Sequence, residues 1–363
     1  MVAVSVSKGY TSMTDLPKDR MAVVPRHVAV PSADQIEARF TKFRQDLLRK
    51  RHGKDATQQP DFNAERRIRR RAEAIHNRLL RKAGLQSLKR DQRAPIIELA
   101  RSGASLLRPS TSDAVYELVA RLHAESGWMR EVSTWIMQQM LRHLAAGGIG
   151  FAIPPVILIG PPGIGKSHFA RRLAELAGLP ARMIDVGGGS AGFRIAGTEK
   201  GWGSEQPGIP VETILATRVA NPVMVVDEVD KAGTAYSTSG SSTSLTTSLL
   251  QLLEPSSARH FECPYYRIPF DLSRVCWVMT ANTPEHIPAP LRDRARLFIL
   301  SKLSAEDAIA HFDWLTADSE DEQGRARCRA FIERMVARPE GLSLRRIRQL
   351  ADALNVPGPE VTH

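Results

Sequence analysis

Between residues 34 and 145 the apolar positions recur at helical spacing, and from residue 155 short all-apolar runs alternate with such stripes. The pattern predicts helices over 34–52 and 63–82. In the second, Ile68, Ala72, Ile75 and Leu79 line one side, Asn63 is placed to cap the start and Gly84 to end it. Two more are expected near 112–125, on Val115, Leu118, Val119 and Leu122, and near 129–145, on Val132, Ile136 and Met140. Gly147, Gly148 and Gly150 close that segment. Residues 1–33 have no period and several prolines, so a loose arm is expected there.

From residue 155 the alternation of strand and helix is the sign of an α/β domain with a parallel sheet. Strands are expected near 155–159, 181–185, 222–226, 275–280 and 296–300, and helices near 166–177, 210–219 and 245–254. Phe169, Leu173 and Leu176 stripe the first of these helices; Leu245, Leu249, Leu252 and Leu253 stripe the last, which Pro255 stops. A Gly-rich loop, Gly187 to Gly208, and a Ser/Thr/Gly loop, Thr234 to Ser244, separate them; the second composition favours mobility. After 303 the pattern is helical to about 355, followed by a short Pro-Gly tail.

Charge divides the chain further. Its net +11 is uneven: residues 1–110 carry 24 Lys+Arg against 11 Asp+Glu, and the remainder 26 against 28. The excess gathers on the 63–82 helix, in Arg66, Arg67, Arg69, Arg70, Arg71, Arg78, Arg81 and Lys82. Such a face can grip phosphates or an acidic protein surface, or simply be solvated, and aromatic residues for base stacking are absent from 63–82. Cys263, Cys276 and Cys328 have no metal-ligand spacing and suit reduced thiols in a cytoplasmic protein. The N-terminal residues lack a signal-peptide layout, and no uninterrupted apolar run reaches membrane-spanning length, so no membrane association is expected.

The chemistry centres on one stretch. Val156 to Ile159 is an apolar run, and Gly160-Pro161-Pro162-Gly163-Ile164-Gly165-Lys166-Ser167, followed by His168, opens the next helix. This is the phosphate-binding loop pattern in its strand-to-helix setting. Its glycines let backbone N–H groups turn inward around phosphate oxygens, and the helix adds its positive end. Lys166 is placed to reach the β- and γ-phosphates of ATP, and Ser167 to bind Mg²⁺. A second apolar strand ends in Asp227-Glu228, which suits Asp227 holding Mg²⁺ and Glu228 polarising the attacking water. A third ends in Thr280-Ala281-Asn282, whose amide can donate to the γ-phosphate or orient the water. Arg292, Arg294 and Arg296 precede the last strand, and Arg345 and Arg346 lie on a late helix; either set can neutralise phosphoryl charge or form ordinary surface ion pairs.

This order of motifs resembles the AAA+ ATPases, and within them the ATPase module of Lon proteases. Val226-Asp-Glu-Val-Asp-Lys231, Leu249-Leu-Gln-Leu-Leu-Glu-Pro255, Pro269-Phe-Asp-Leu-Ser273 and Ile287-Pro-Ala-Pro-Leu-Arg-Asp-Arg294 carry the Lon likeness, which covers about 155–300. The resemblance implies an α/β fold: an AAA+ P-loop NTPase parallel sheet with a helical lid, preceded by a basic, mostly helical region. The expected divisions are 1–110, an ATPase domain over 111–301, a lid over 302–355 and a tail over 356–363. It also implies that Lys166 and Ser167 act as Walker A, Asp227 and Glu228 as Walker B and Asn282 as sensor 1. Arg294 matches the arginine finger that acts on a neighbouring subunit's ATP, implying a ring, commonly a hexamer. Arg345 is the better sensor 2 candidate. Trp202 falls at the pore-loop aromatic that grips protein substrate, although Gly203 replaces its apolar partner and Trp202 can instead pack within its loop. Lon's peptidase domain follows its lid, and this chain has about ten residues after its last helix, so ATP hydrolysis without intrinsic proteolysis is expected. The expected work is remodelling of a protein substrate. The rival readings are a nucleic-acid-associated ATPase recruited through the Arg66–Arg71 region and a nucleotide-controlled adaptor with little turnover.

Overall fold

The computed structural model describes residues 16–52, 61–186, 191–199, 205–231, 234–236, 242–338 and 341–354. Trp202 and Gly203, and the tail over 356–363, lie outside the described residues. The chain divides into two compact units, residues 1–105 and 106–363.

In the first unit, α1 (Ala33–His52) and α2 (Phe62–Lys82) form a hairpin, and α3 (Arg90–Ser102) follows. Arg69 pairs with Glu37 and Arg44 with Asp61, contacts that match an antiparallel arrangement of the two long helices. Asp61, not Asn63, caps α2: its side chain accepts from the Ala64 N–H. A carboxylate there both satisfies a free N–H and complements the helix dipole, whereas Asn63 sits inside the first turn. The arm expected to be loose is, from residue 16, packed. Arg20–Met21 pairs antiparallel with Ala104–Ser105, and Val23, Val24, Val28 and Val30 are buried. These valines follow no period because the segment is irregular, with a single helical turn at Arg26–Val28, and its contacts come from α3. Arg101 of α3 donates to the Val30 carbonyl at 2.7 Å.

The second unit is built on β1 (Val156–Ile159), β2 (Ala181–Asp185), β3 (Val223–Asp227), β4 (Cys276–Ala281) and β5 (Arg296–Ile299), all parallel, in the spatial order β5-β1-β4-β3-β2. Burial explains the order. β1 and β4 are buried at every position and β3 at all but its last, so these three take the centre. β2 and β5 expose Arg182 and Arg296 and form the edges. Before the sheet come α4 (Ser112–Glu125) and α5 (Arg130–Ala145), and within it α6 (Lys166–Leu176), α7 (Ala191–Ala196), α8 (Ile209–Thr217), α9 (Leu245–Leu253), α10 (Pro255–Ala258) and α11 (Ala289–Arg294). The chain ends in α12 (Ala305–Leu315), α13 (Glu322–Val336) and α14 (Leu344–Leu354). One apolar cluster joins α4, α5, α6, the sheet and the three last helices through residues such as Leu122, Ile136, Phe169, Val225, Phe312 and Ile347.

The stretches read as loops hold more structure than their composition suggests. α7 lies inside the Gly-rich segment, and Thr234–Tyr236 pairs antiparallel with Ser242–Ser244 inside the Ser/Thr/Gly segment. Phe261–Cys263 and Ile268–Phe270 form another short ribbon. β-Branched threonines favour such pairing despite the polar composition. Among the described residues, no helix is long and apolar enough to cross a membrane.

Candidate nucleotide site

Because β4 lies between β1 and β3, the carboxyl ends of these strands bring three separate motifs to one edge of the sheet. In open α/β sheets that edge is where ligands sit. The loop after β1 turns into α6 through Gly163 (φ +84°) and Gly165 (φ +88°), left-handed conformations that other residues rarely adopt. A Cβ at Gly163 would stand 2.7 Å from Ser343 Cβ, and the Gly163 carbonyl accepts from the Leu344 N–H at 2.9 Å. The start of α14 is thus docked directly on the phosphate-loop sequence.

A cleft of about 640 Å³ opens here, lined by Lys166, Ser167, Asp227, Glu228 and Asn282 together with Arg345. Pro162, Gly163, Gly165 and His168 also line it, whereas Ile164 is buried in the core. Lys166 is almost fully buried, and its ammonium donates to the Gly160 carbonyl at 2.6 Å, to the Pro161 carbonyl at 3.0 Å and to Asn282 Oδ1 at 3.2 Å. Burial lowers its pKa, and the nearby Asp227, Asp230 and Glu228 carboxylates oppose that shift. A cation held by neutral carbonyls beside a cradle of left-handed glycines suits a phosphate anion.

Ser167 donates to Asp227 Oδ1 at 2.8 Å, so a hydroxyl and a carboxylate oxygen share one spot. These are hard-oxygen donors of the kind that suits Mg²⁺. Thr280 also donates to Asp227 Oδ1, and its hydroxyl accepts from the Glu228 N–H at 3.1 Å. Asn282 bridges the cleft, accepting from Lys166 through Oδ1 and donating through Nδ2 to Glu228 Oε1 at 3.4 Å. Its own N–H donates to Asp230 Oδ2 at 3.0 Å.

Not every expected residue converges. Arg294 lies exposed on α11 and donates to the Pro290 carbonyl within its own helix, at 3.3 Å. It does not line the cleft, and neither does Arg346. Sequence reasoning passed over Arg171, Arg348 and Trp128, and named Thr280 without giving it a role. Arg348 lines the cleft with Arg345, three positions away on α14, and that i, i+3 spacing was the available signal. Trp128 donates from Nε1 to the Ile164 carbonyl at 2.9 Å, buttressing the loop from behind, and nothing in its local sequence marks it.

Trp128 also meets His311 of α12 edge-on, and His311 stacks on Trp314 of its own helix. His311 Nδ1 donates to the Glu125 carbonyl at 2.8 Å. Burial lowers the His311 pKa, and His168 from α6 and Arg348 from α14 push it the same way; the Glu125 carbonyl and carboxylate from α4 oppose them. The folded protein therefore binds fewer protons here than the unfolded chain below the ordinary imidazole value of about 6.5. Stability is held above that value and falls as pH drops toward the lowered folded-state value. Thermal melts at about pH 7.5 and about pH 5.5 should show a larger loss for the native sequence than for His311→Gln. Equal losses would mean that His311 is not the titrating group.

Residues 156–303 match the family model described as ATPase family associated with various cellular activities (AAA). The segment is an AAA domain. Its sequence is Lon-like: the chain is 34% identical over 177 residues to the mitochondrial Lon protease homolog of Drosophila melanogaster, covering 48% of this chain and 17% of that protein. It is 36% identical over 170 residues to the Lon protease of Magnetococcus marinus, covering 46% and 20%. The chain thus spans about a fifth or less of the length of these relatives. In three dimensions it matches a chain from the closed-state reconstruction of Hsp104 with ATPγS and FITC-casein, with a TM-score of 0.50, 16% identity, and coverage of 89% of this chain and 63% of that one. The fold is therefore that of an AAA+ nucleotide-binding ATPase: a five-stranded parallel sheet surrounded by helices.

Proposed function

We propose that this chain is a Lon-like AAA+ ATPase that hydrolyses ATP with Mg²⁺ in an oligomeric ring and uses the cycle to remodel protein substrates in the cytoplasm. The convergence of Lys166, Ser167, Asp227, Glu228 and Asn282 in one cleft carries the reading. In it, Lys166 binds the terminal phosphates, and Ser167 and Asp227 hold Mg²⁺, which supplies charge neutralisation at the phosphates. Glu228 accepts a proton from the attacking water and Asn282 orients that water. Arg345 and Arg348 approach from α14 with charge of the right sign for the phosphates. Arg294, exposed and outside its own cleft, suits action on a neighbour's ATP and so supports a ring.

A second reading is nucleic-acid association through the first unit. The basic side chains from Arg66 to Lys82 on α2 are exposed, and so are Phe62, at the start of α2, and Phe43, on α1 of the same hairpin. Exposed aromatics among arginines are what base stacking needs.

One experiment separates the two: steady-state ATPase of the full chain with unfolded casein, with single- or double-stranded DNA, or with neither, at low and moderate salt. Stimulation by casein that Trp202→Ala abolishes, with basal turnover spared and casein left uncleaved on a gel, supports the remodeller. Stimulation by DNA that falls steeply with salt supports the second reading. Casein stimulation that survives Trp202→Ala would sink the pore-loop role.

A further inference from the structure

We propose that His311 reads the base of the bound nucleotide: its Nε2 accepts a hydrogen from the exocyclic amino group of adenine, so the cleft takes adenine and turns away purines that carry a carbonyl at that position. The inference rests on the cleft holding a nucleoside triphosphate.

The phosphate chemistry decides which end of the cleft is left for the base. Lys166, Ser167, Asp227, Glu228 and Asn282 gather at the carboxyl ends of the central strands. The rest of the cleft is lined by His168 and Arg171 of α6, His311 of α12 and Arg348 of α14. Arg171 stands one helical turn beyond Ser167, about 6 Å farther along the α6 axis. His311, His168 and Arg348 lie close enough to influence one another's charge. A triphosphate held on Lys166 therefore leaves its base to this second end.

His311 is only 6% exposed, yet it lines the cleft. Its Nδ1–H is committed to the Glu125 carbonyl at 2.8 Å. A neutral imidazole with its proton on Nδ1 carries a lone pair on Nε2. Nε2 has no hydrogen-bond partner among the described residues and is not sealed from solvent, so the lone pair opens on the cleft. Trp128 meets the ring edge-on and Trp314 stacks on it, which fixes its direction. Burial, His168 and Arg348 hold the ring neutral at neutral pH, against the opposing pull of Glu125.

At one and the same ring position adenine carries an amino donor and guanine a carbonyl acceptor. The amino group pairs with Nε2. The carbonyl would set two acceptors against each other where little water can relieve them. Arg171 and Arg348 carry donors only, so neither can accept from an amino group in place of His311.

The test is competition binding to the full chain. A ribose-labelled fluorescent ATP analogue is displaced by ATP, by purine riboside triphosphate, which lacks the amino group, or by inosine triphosphate, which has the carbonyl. The native protein should bind purine riboside triphosphate about 2- to 10-fold more weakly than ATP, and inosine triphosphate about 10- to 100-fold more weakly. His311→Phe keeps a ring between the two indoles and removes the acceptor, so the three affinities should converge to within about threefold. Its ATPase kinetics should show KM raised and kcat retained, the split expected of a group that touches the base and not the reacting phosphate. A histidine with a structural role alone would move all three nucleotides alike. Inosine triphosphate binding natively within about threefold of ATP, or an unchanged ranking in His311→Phe, overturns the base-reading role. Where the melting curve shows that His311→Phe does not fold, the native series decides by itself. If ATP is still hydrolysed when the ranking fails, the ATPase reading stands and only the base-reading role falls. If none of the three displaces the analogue and ATP is not turned over, both fall together.

Discussion

Glu228→Gln should bind ATP with near-native affinity and turn it over about 10²- to 10⁴-fold more slowly. The substitution keeps the side chain's shape and its contact from Asn282 but removes the group that can take a proton. Everything expected to grip the nucleotide stays in place. Lys166 keeps its three acceptors, Ser167 keeps Asp227, and Gly163 keeps its bond from the start of α14. Thr280 still bonds Asp227, so the neighbouring carboxylate does not drift. Binding of a fluorescent ATP analogue and single-turnover phosphate release, measured side by side, separate the two effects. Turnover within threefold of native would remove Glu228 from the chemistry, and lost binding would mean that its charge shapes the phosphate site itself.

The second large effect is on stability. Arg172 of α6 grips Glu125, the last residue of α4, through Nε at 2.6 Å and Nη2 at 2.7 Å. The Glu125 side chain is only 6% exposed, and the pairing raises the Arg172 pKa. Glu125 also stands at a helix C-terminus, where the dipole disfavours a negative charge. Arg172→Ala would leave that carboxylate buried, unpaired and badly placed. Removing one partner of a buried pair costs about 3–5 kcal/mol, and because Arg172 is 32% exposed we expect less, about 2–3 kcal/mol. Denaturant unfolding measures this directly. Arg172→Met combined with Glu125→Leu should recover most of the loss, because an apolar pair of similar volume escapes the desolvation penalty. A single-mutant loss below about 0.5 kcal/mol would show that water already satisfies Glu125. Since α6 begins at Lys166 and the Glu125 carbonyl also receives His311, loosening this contact should weaken nucleotide binding as well.

Much of this was legible along the chain. The apolar runs ending in Gly160, Asp227 and Asn282 marked three central strands because burial on both faces demands continuous apolar sequence. The helical stripes marked α2, α4, α5, α6 and α9 for the same reason at a different period. The phosphate-loop residues were legible because their chemistry depends on neighbours in sequence, with the glycines supplying the turn and Lys166 and Ser167 opening the helix behind it.

What local pattern does not contain is which strand lies beside which. The order β5-β1-β4-β3-β2 is a product of edge and centre burial, and it brings Lys166 within 3.2 Å of Asn282 across 116 positions of chain. Thr280 gained its role only there, because its partners Asp227 and Glu228 arrive on a separate strand. Trp128 and Arg348 entered the site in the same way, through the packing of α4, α12 and α14 around the loop. Val23 to Val30 look patternless in sequence because an irregular buried segment takes its contacts from α3 and keeps no period of its own. The sequence by itself determined the elements and the residue types at their ends, since both follow from forces acting within a few residues. The tertiary structure decided which of those ends meet, since that depends on surfaces buried between segments 52 to 116 residues apart.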